Sequence, residues 1–226
     1  IDPWQQIRGI QDAITYAQSR ADVDAGRIGL WGSSYGAGNA YVAAAIDRRI
    51  KAVCGQVPMI SGRRNIELFL GAEQWAATQE LLAADRLARA QGVEPARMPI
   101  VPEEPGQPAM SGSPDSIEFF QRFAETSWVN DVTVRTLEYF YGYEPADYLK
   151  RIAPTPLLMI VAPGDTVAPG EWATEAYEAA LHPKKLVLVP GGHYAAYIDD
   201  EVFELSVTAA RDHFVEHLMA KADISA

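Results

Sequence analysis

Cysteine is almost absent from the 226-residue chain, in which Cys54 stands alone. A single cysteine cannot form an internal disulfide, so no disulfide framework holds this fold. Cys54 lies in the apolar run KAVCGQVP, and this setting favours a small buried hydrophobe over a nucleophile. The cysteine count leaves the redox compartment open, and we expect a cytoplasmic protein.

Basic residues and long apolar runs are also scarce. The chain has 19 Lys and Arg against 30 Asp and Glu, a formal net charge of -11. Nucleic-acid binding needs clustered basic residues, so we expect no nucleic-acid partner. No apolar run approaches the roughly 20 residues that a membrane helix needs, and no signal segment opens the chain. We therefore expect no membrane partner.

The hydrophobic residues that are present, 48% of the chain, alternate between strand-like and helix-like segments. This order indicates an α/β fold, with a mostly parallel sheet covered by helices on both faces. Residues 1–58 and 148–226 are predicted to form the core. Residues 59–147, rich in aromatics, are predicted to form a helical cap inserted between strands. The predicted strands lie in the segments RIGLWG, KAVCGQVP, PTPLLMIVAPGD and KKLVLVPGGH.

The segment RIGLWGSSYGAGNA reads as strand, tight turn and helix, the setting of a nucleophile elbow. In the pattern G-x-S-x-G the glycines are Gly32 and Gly36, so the nucleophile is Ser34, because a pattern centred on Ser33 would need glycines at other positions. The backbone N–H of Tyr35, at the start of the helix, would then bind an oxyanion.

A serine nucleophile requires a base and an acid, expected in the order Ser, Asp, His, with each of them following a strand. Asp165 follows the strand PLLMIVA, and His193 follows the strand KLVLV. Either residue alone could be an ordinary loop residue. The order, the setting and the spacing of the three together predict a triad of Ser34, His193 and Asp165.

The remaining histidines give a weaker signal. His182 precedes a proline at a helix end. His213 and His217 have an i, i+4 spacing on a terminal helix predicted over about 201–221, but no third metal ligand is evident. We expect this pair to lie on a solvated face, and we expect no metal and no cofactor.

At these residues the sequence resembles the α/β-hydrolase superfamily. More narrowly, it is similar to the dienelactone-hydrolase-related group, which includes bacterial esterase-like hydrolases and fungal polyketide transferases. The resemblance covers nearly the whole chain outside a linker near 100–115, and it implies ester, thioester or acyl-transfer chemistry. True dienelactone hydrolases use a cysteine, so a lactone-opening role is not implied. The resemblance rests on the segments GSSYG, GDTVAP, GGHYAAY, DPWQQIRGIQDAITYAQ and AIDRRIKAV.

Members of this superfamily place several strands and a second oxyanion donor before the elbow, whereas only 33 residues precede Ser34 here. We therefore expect an amino-terminal portion of roughly 60 to 90 residues to be absent from this chain. Two partners stay open for the exposed sheet edge: a second copy in a homodimer, or the missing amino-terminal segment.

The sequence thus predicts a serine hydrolase that cleaves a small-molecule carboxylic ester or thioester, with an apolar or aromatic acyl group, through an acyl-enzyme. Two alternatives stay open. An acyltransferase would use the same triad with an alcohol or amine in place of water. A binding protein on a hydrolase scaffold would have no activity at all.

Overall fold

The computed structural model describes residues 1–219, which form two compact units. The sheet unit comprises Trp4–Ile60 and the described chain from Pro145 onward. The helical unit comprises Ile1–Pro3 and Ser61–Glu144. The cap was predicted over residues 59–147.

Fifteen elements follow one another along the described chain. The first eight are α1 (Pro3–Ser19), β1 (Ile28–Ser33), α2 (Tyr35–Ile46), β2 (Ile50–Gln56), α3 (Gly62–Ala90), β3 (Arg97–Met98), α4 (Pro114–Gln121) and β4 (Val132–Thr133). The others are α5 (Arg135–Tyr141), a 3-10 helix (Pro145–Arg151), β5 (Leu157–Val161), α6 (Gly170–Ala179), β6 (Lys184–Leu188), α7 (Ala195–Ile198) and α8 (Asp200–Leu218).

The four strands of the sheet unit run in the order β1-β2-β5-β6, and every neighbouring pair is parallel. This confirms the predicted parallel sheet. Parallel strands bring their carboxyl ends to the same edge, and in this register Ser33 of β1 lies beside Gln56 of β2. The loops that leave β1, β5 and β6 therefore begin at one edge of the sheet, where open α/β folds bind their ligands.

Helices flank both faces of this sheet. Cys54 of β2 belongs to a buried cluster with Val202 and Ala210 of α8. The next residue along the strand, Gly55, lies against Tyr41 of α2. Successive strand residues point to opposite faces, so α8 and α2 cover different faces. Strand β5 is buried over its whole length, as a strand covered on both sides must be.

The helical unit is built around α3, which packs against α5. Ser61 caps α3 by accepting a hydrogen bond from the backbone N–H of Arg64, and Gly71 interrupts the helix with a φ of 67°. The aromatic residues of the unit pair with one another: Trp75 stacks on Tyr141 with ring centroids 4.5 Å apart. Contacts between aromatic rings thus contribute to the packing of this unit.

The helical unit also contains a small antiparallel sheet, formed by β3 and β4. Only a helical cap with a linker near 100–115 was predicted for this part of the chain. A strand of two residues is too short to show the alternation of apolar and polar side chains from which strands are recognised.

The terminal helix corrects one expectation. The sequence of this helix predicts an apolar face at Phe203, Val207, Ala210, Phe214 and Leu218. Ala210 is buried as predicted, whereas Phe203 and Val207 are exposed and Val202, outside the predicted face, is buried. His213, expected on a solvated face, is only 2% exposed. The buried face therefore overlaps the predicted one at Ala210 but is shifted toward Val202 and His213, because α8 meets the sheet with the side that carries His213.

None of the helices among residues 1–219 is both long and apolar enough to cross a membrane.

Candidate active site

The predicted elbow lies between β1 and α2. Ser34 has a φ of 53°, a left-handed conformation that costs energy in any residue other than glycine. This conformation turns the chain sharply from strand to helix. A Cβ at Gly32 would lie 2.2 Å from the carbonyl oxygen of Gly36, so no other residue fits at position 32.

The other glycine of the pattern has a different environment. A Cβ at Gly36 would meet no atom of the described chain within 4 Å. Lack of space for a side chain therefore explains the glycine at position 32, whereas the described residues leave room for a side chain at position 36.

Backbone hydrogen bonds fix the elbow against β2. The N–H of Ser34 donates to the carbonyl of Gln56 at 2.8 Å, and the N–H of Met59 donates to the carbonyl of Ser34 at 3.0 Å. Between these two anchors, Val57 has a φ of 39°, which is strained for a β-branched residue. Both sides of the turn at Ser34 are thus tied to the end of the neighbouring strand.

Asp165 lies in the loop after β5, and its side chain is 1% exposed. One oxygen, Oδ1, accepts hydrogen bonds from the N–H groups of Val167 and Ala168, both at 2.8 Å. These two donors hold the carboxylate in one orientation and stabilise its charge. The other oxygen, Oδ2, faces His193.

His193 lies in the loop after β6 and is 2% exposed. Its Nδ1 is 2.7 Å from Oδ2 of Asp165, and its Nε2 is 2.9 Å from Oγ of Ser34. The three predicted residues therefore form one hydrogen-bonded series, Asp165 to His193 to Ser34. A base within this distance of a hydroxyl can take its proton, and a buried carboxylate on the far nitrogen fixes the tautomer.

Tyr35 begins α2, so its backbone N–H lies in the first turn of the helix, directly after Ser34. This group is the predicted oxyanion donor. The positive end of the helix dipole adds to the attraction for an anion beside Ser34.

Cys54 was expected to be a buried hydrophobe, and its 0% exposure confirms this. Burial raises the pKa of its thiol to about 12, so hardly any nucleophilic thiolate forms at neutral pH. Within residues 1–219, no group of three or more His, Cys, Asp or Glu side chains could hold a metal ion.

Sequence reasoning missed one contact of this site. The hydroxyl of Ser33, set aside in favour of Ser34, lies 2.6 Å from the hydroxyl of Tyr197 in α7. The only signals in the sequence were a polar residue at the end of a strand and a tyrosine four positions after the histidine. Neither signal predicts which residue the other one contacts.

Comparison with known proteins agrees with this architecture. The X-Pro dipeptidyl-peptidase (S15 family) model matches residues 1–195. The acyltransferase drtE of Aspergillus calidoustus is 28% identical over 98% of this chain and 73% of its own length. The thiohydrolase aneE of Aspergillus aculeatus is 26% identical over 97% of this chain and 71% of its own length.

A solved structure gives the same result. The α/β hydrolase GrgF from Penicillium sp. sh18 superposes with a TM-score of 0.83 at 26% identity, over 96% of this chain and 73% of its own. The chain thus spans about seven-tenths of the length of each of these relatives. With its matched family model, its parallel sheet and its elbow, the chain belongs to the X-Pro dipeptidyl-peptidase (S15) family and has the α/β-hydrolase fold.

Proposed function

We propose that this protein is a serine hydrolase that cleaves a small-molecule carboxylic ester or thioester through an acyl-enzyme. The observation that carries the proposal is the series of hydrogen bonds from Asp165 through His193 to Ser34, at 2.7 and 2.9 Å. The strained backbone of Ser34 supports the same role, because strain of this kind is typical of residues held ready for reaction.

The reaction follows from these positions. Nε2 of His193 takes the proton of Ser34 as Oγ attacks the carbonyl carbon, and the N–H of Tyr35 donates to the oxyanion. The imidazolium is stabilised by Asp165. Collapse of the intermediate expels the alcohol or thiol, which leaves with the proton from His193. A water molecule then repeats the two steps, releases the acid and restores Ser34.

The choice of ester or thioester rests on the relatives. The thiohydrolase aneE supports a thioester, and a serine nucleophile with an imidazole base accepts either leaving group. An apolar or aromatic acyl group stays a prediction from the aromatic residues of the chain. The family description names an X-Pro peptidase, so an X-Pro p-nitroanilide belongs in the substrate panel beside a short p-nitrophenyl ester and an acyl thioester.

A fluorophosphonate probe tests the nucleophile. We expect it to label the natural protein on the peptide Ile28–Arg48, with the adduct on Ser34 rather than Ser33 when the peptide is fragmented in a mass spectrometer. Ser34→Ala should abolish labelling. The exposed Ser19 gives the matched control, since Ser19→Ala removes a hydroxyl far from the elbow in sequence and should label normally. Labelling that persists in Ser34→Ala would refute the assignment.

The acyltransferase drtE favours a second candidate, acyl transfer to an alcohol or amine. The two reactions share the acyl-enzyme and differ in what attacks it. Product analysis with and without an added acceptor separates them: an acylated acceptor formed at the expense of free acid identifies a transferase. If no substrate in the panel is turned over and no label is taken up, the protein is a binding protein on a hydrolase scaffold.

A further inference from the structure

The hydroxyl of Ser33 joins three parts of the sheet unit at the edge where the predicted triad lies. It is 2.6 Å from the hydroxyl of Tyr197 in α7. It also lies 3.3 Å from Nε2 of Gln56 and 3.4 Å from the carbonyl oxygen of the same residue, at the end of β2. One small side chain thus bonds to the next strand and to the helix that follows His193.

The hydroxyl of Ser33 can satisfy all of these contacts at once. A serine hydroxyl has one proton and two lone pairs. The Gln56 amide can only donate from Nε2, and its backbone carbonyl can only accept. If Ser33 donates to that carbonyl, its second lone pair accepts the proton of Tyr197. Although Tyr197 is 38% exposed, desolvation raises its pKa to about 12, so the tyrosine keeps this proton at neutral pH.

The hydrogen bond between Ser33 and Tyr197 also affects His193, because Tyr197 lies close to the histidine along the chain. α7 begins at Ala195, two residues after the histidine, and is a single short turn. The N–H of Tyr197 donates to the carbonyl of Tyr194 at 2.9 Å, so the tyrosine and the histidine segment are held together. On the other side of the histidine, Gly191 has a φ of 85°. Glycine has no Cβ, so the backbone at this position is less restrained than it would be at any other residue.

We propose that Ser33 and Tyr197 are positioning residues: their hydrogen bond fastens the histidine loop to the end of β1, and so sets the distance from Nε2 of His193 to Oγ of Ser34. The proposal rests on the proposed function and goes beyond it, because neither residue touches the reacting atoms. It also gives the first serine of the pair a role of its own beside the nucleophile.

Removal of the hydroxyl of either Ser33 or Tyr197 should slow the chemical step and leave substrate binding unchanged. With Tyr197→Phe we expect kcat for a short p-nitrophenyl ester to fall about tenfold, since a small displacement of a catalytic group costs up to about 100-fold. KM should stay within about twofold. Ser33→Ala should have the same effect, and the double variant should be no slower than either single variant, because both remove the same bond.

Two further variants separate positioning from folding. Ser33→Thr keeps the hydroxyl and should recover most of the lost rate. Tyr16→Phe removes the hydroxyl of an exposed tyrosine on α1 and should change nothing. Thermal unfolding midpoints measured on all variants should agree within a few degrees, so that the loss of kcat is not a loss of folded protein.

The fluorophosphonate rate distinguishes failure of this inference from failure of the proposed function. If the parent protein is labelled on Ser34 and Tyr197→Phe is labelled at the same rate, the positioning role is wrong and the hydrolase stands. Additive losses in the double variant, or no recovery with Ser33→Thr, also overturn the positioning role. If the parent protein takes no label, the hydrolase itself is refuted, and the positioning role is refuted with it.

Discussion

Each of the two units buries an aspartate, and the two carboxylates have nearly the same surroundings. In the helical unit, Asp85 accepts an N–H from Ala96 on Oδ1 and the guanidinium of Arg89 on Oδ2, both at 2.8 Å. In the sheet unit, Oδ1 of Asp165 accepts backbone N–H groups and Oδ2 faces His193 at 2.7 Å. Both side chains are 1% exposed.

The partner of each carboxylate makes the difference. Arg89 keeps its proton at any ordinary pH, so its pair with Asp85 serves only to hold that carboxylate in place on α3. The other carboxylate oxygen, which accepts the N–H of Ala96, joins the helix to the segment that follows it. An imidazole can accept a proton from a neighbouring hydroxyl and give it up again, so in our proposal the pair of Asp165 and His193 serves proton transfer. One geometry thus serves stability in one unit and, in our proposal, catalysis in the other.

Among the variants of these two aspartates, Asp165→Asn should have the largest effect on activity. The amide oxygen can still accept from the N–H groups of Val167 and Ala168, but its NH₂ would face Nδ1 and favour the wrong tautomer of His193. We expect kcat to fall on the order of 10⁴-fold, as for the same change in serine proteases, with little change in the free energy of unfolding.

Steady-state kinetics on the p-nitrophenyl ester, together with urea unfolding, check this. Asp22→Asn, on an exposed loop, is the matched control. A kcat within tenfold of the parent value would contradict the role given to Asp165.

The same substitution at Asp85 should give the opposite pattern. Asp85→Asn leaves Arg89 without its charged partner, and we expect a loss of about 1.5–3 kcal/mol of unfolding free energy with labelling of Ser34 unchanged. Burial by itself raises the pKa of Asp85, but the hydrogen bonds from Arg89 and Ala96 outweigh it, and the net pKa is lowered.

A carboxyl with a lowered pKa stabilises the fold above its unfolded pKa and loses this contribution as pH falls through its folded pKa. The difference between parent and Asp85→Asn should therefore shrink in acid. Denaturant unfolding at pH 7 and near pH 3 measures it, and an equal difference at both pH values would show that the carboxylate charge is not what stabilises the unit.

His213 of α8 extends the comparison, because it is buried like His193 but has no carboxylate hydrogen-bonded to its ring in the described chain. Burial, with a smaller effect of His217, lowers the pKa of His213 to about 4, while Glu216 acts in the opposite direction. The unfolded chain, with a histidine pKa of about 6.5, therefore binds more protons between pH 6.5 and pH 4. As pH falls from 6.5 to 4, the free energy of unfolding should decrease by about 1–3 kcal/mol, because burial disfavours the charged imidazole.

His213→Gln should flatten this pH dependence, whereas His217→Gln on the same helix should retain most of it. Unfolding curves recorded at half-unit steps from pH 7 to pH 4 provide the measurement. A parent protein whose stability is constant over this window would contradict the prediction.

The two aspartates also show where sequence reasoning works. Asp165 was predicted as the acid because it follows a strand of a parallel sheet, and the carboxyl ends of such strands meet at one edge. Asp85 and Arg89 have the i, i+4 spacing of an ordinary solvated pair, and nothing in a helical pattern tells a buried carboxylate from an exposed one. The loop order Ser34, Asp165, His193 was therefore predicted, while the burial of Asp85 and His213 was not.

The sequence by itself determined the parallel sheet, the segments that contain its strands and the glycine pattern that centres the elbow on Ser34, because apolar periodicity and the glycine pattern are local signals. Only the tertiary structure decided the face that α8 buries, the pairing of two-residue strands β3 and β4, and the bond between Ser33 and Tyr197. These features join residues far apart along the chain. Their energies come from the packing of elements against one another, which no local pattern records.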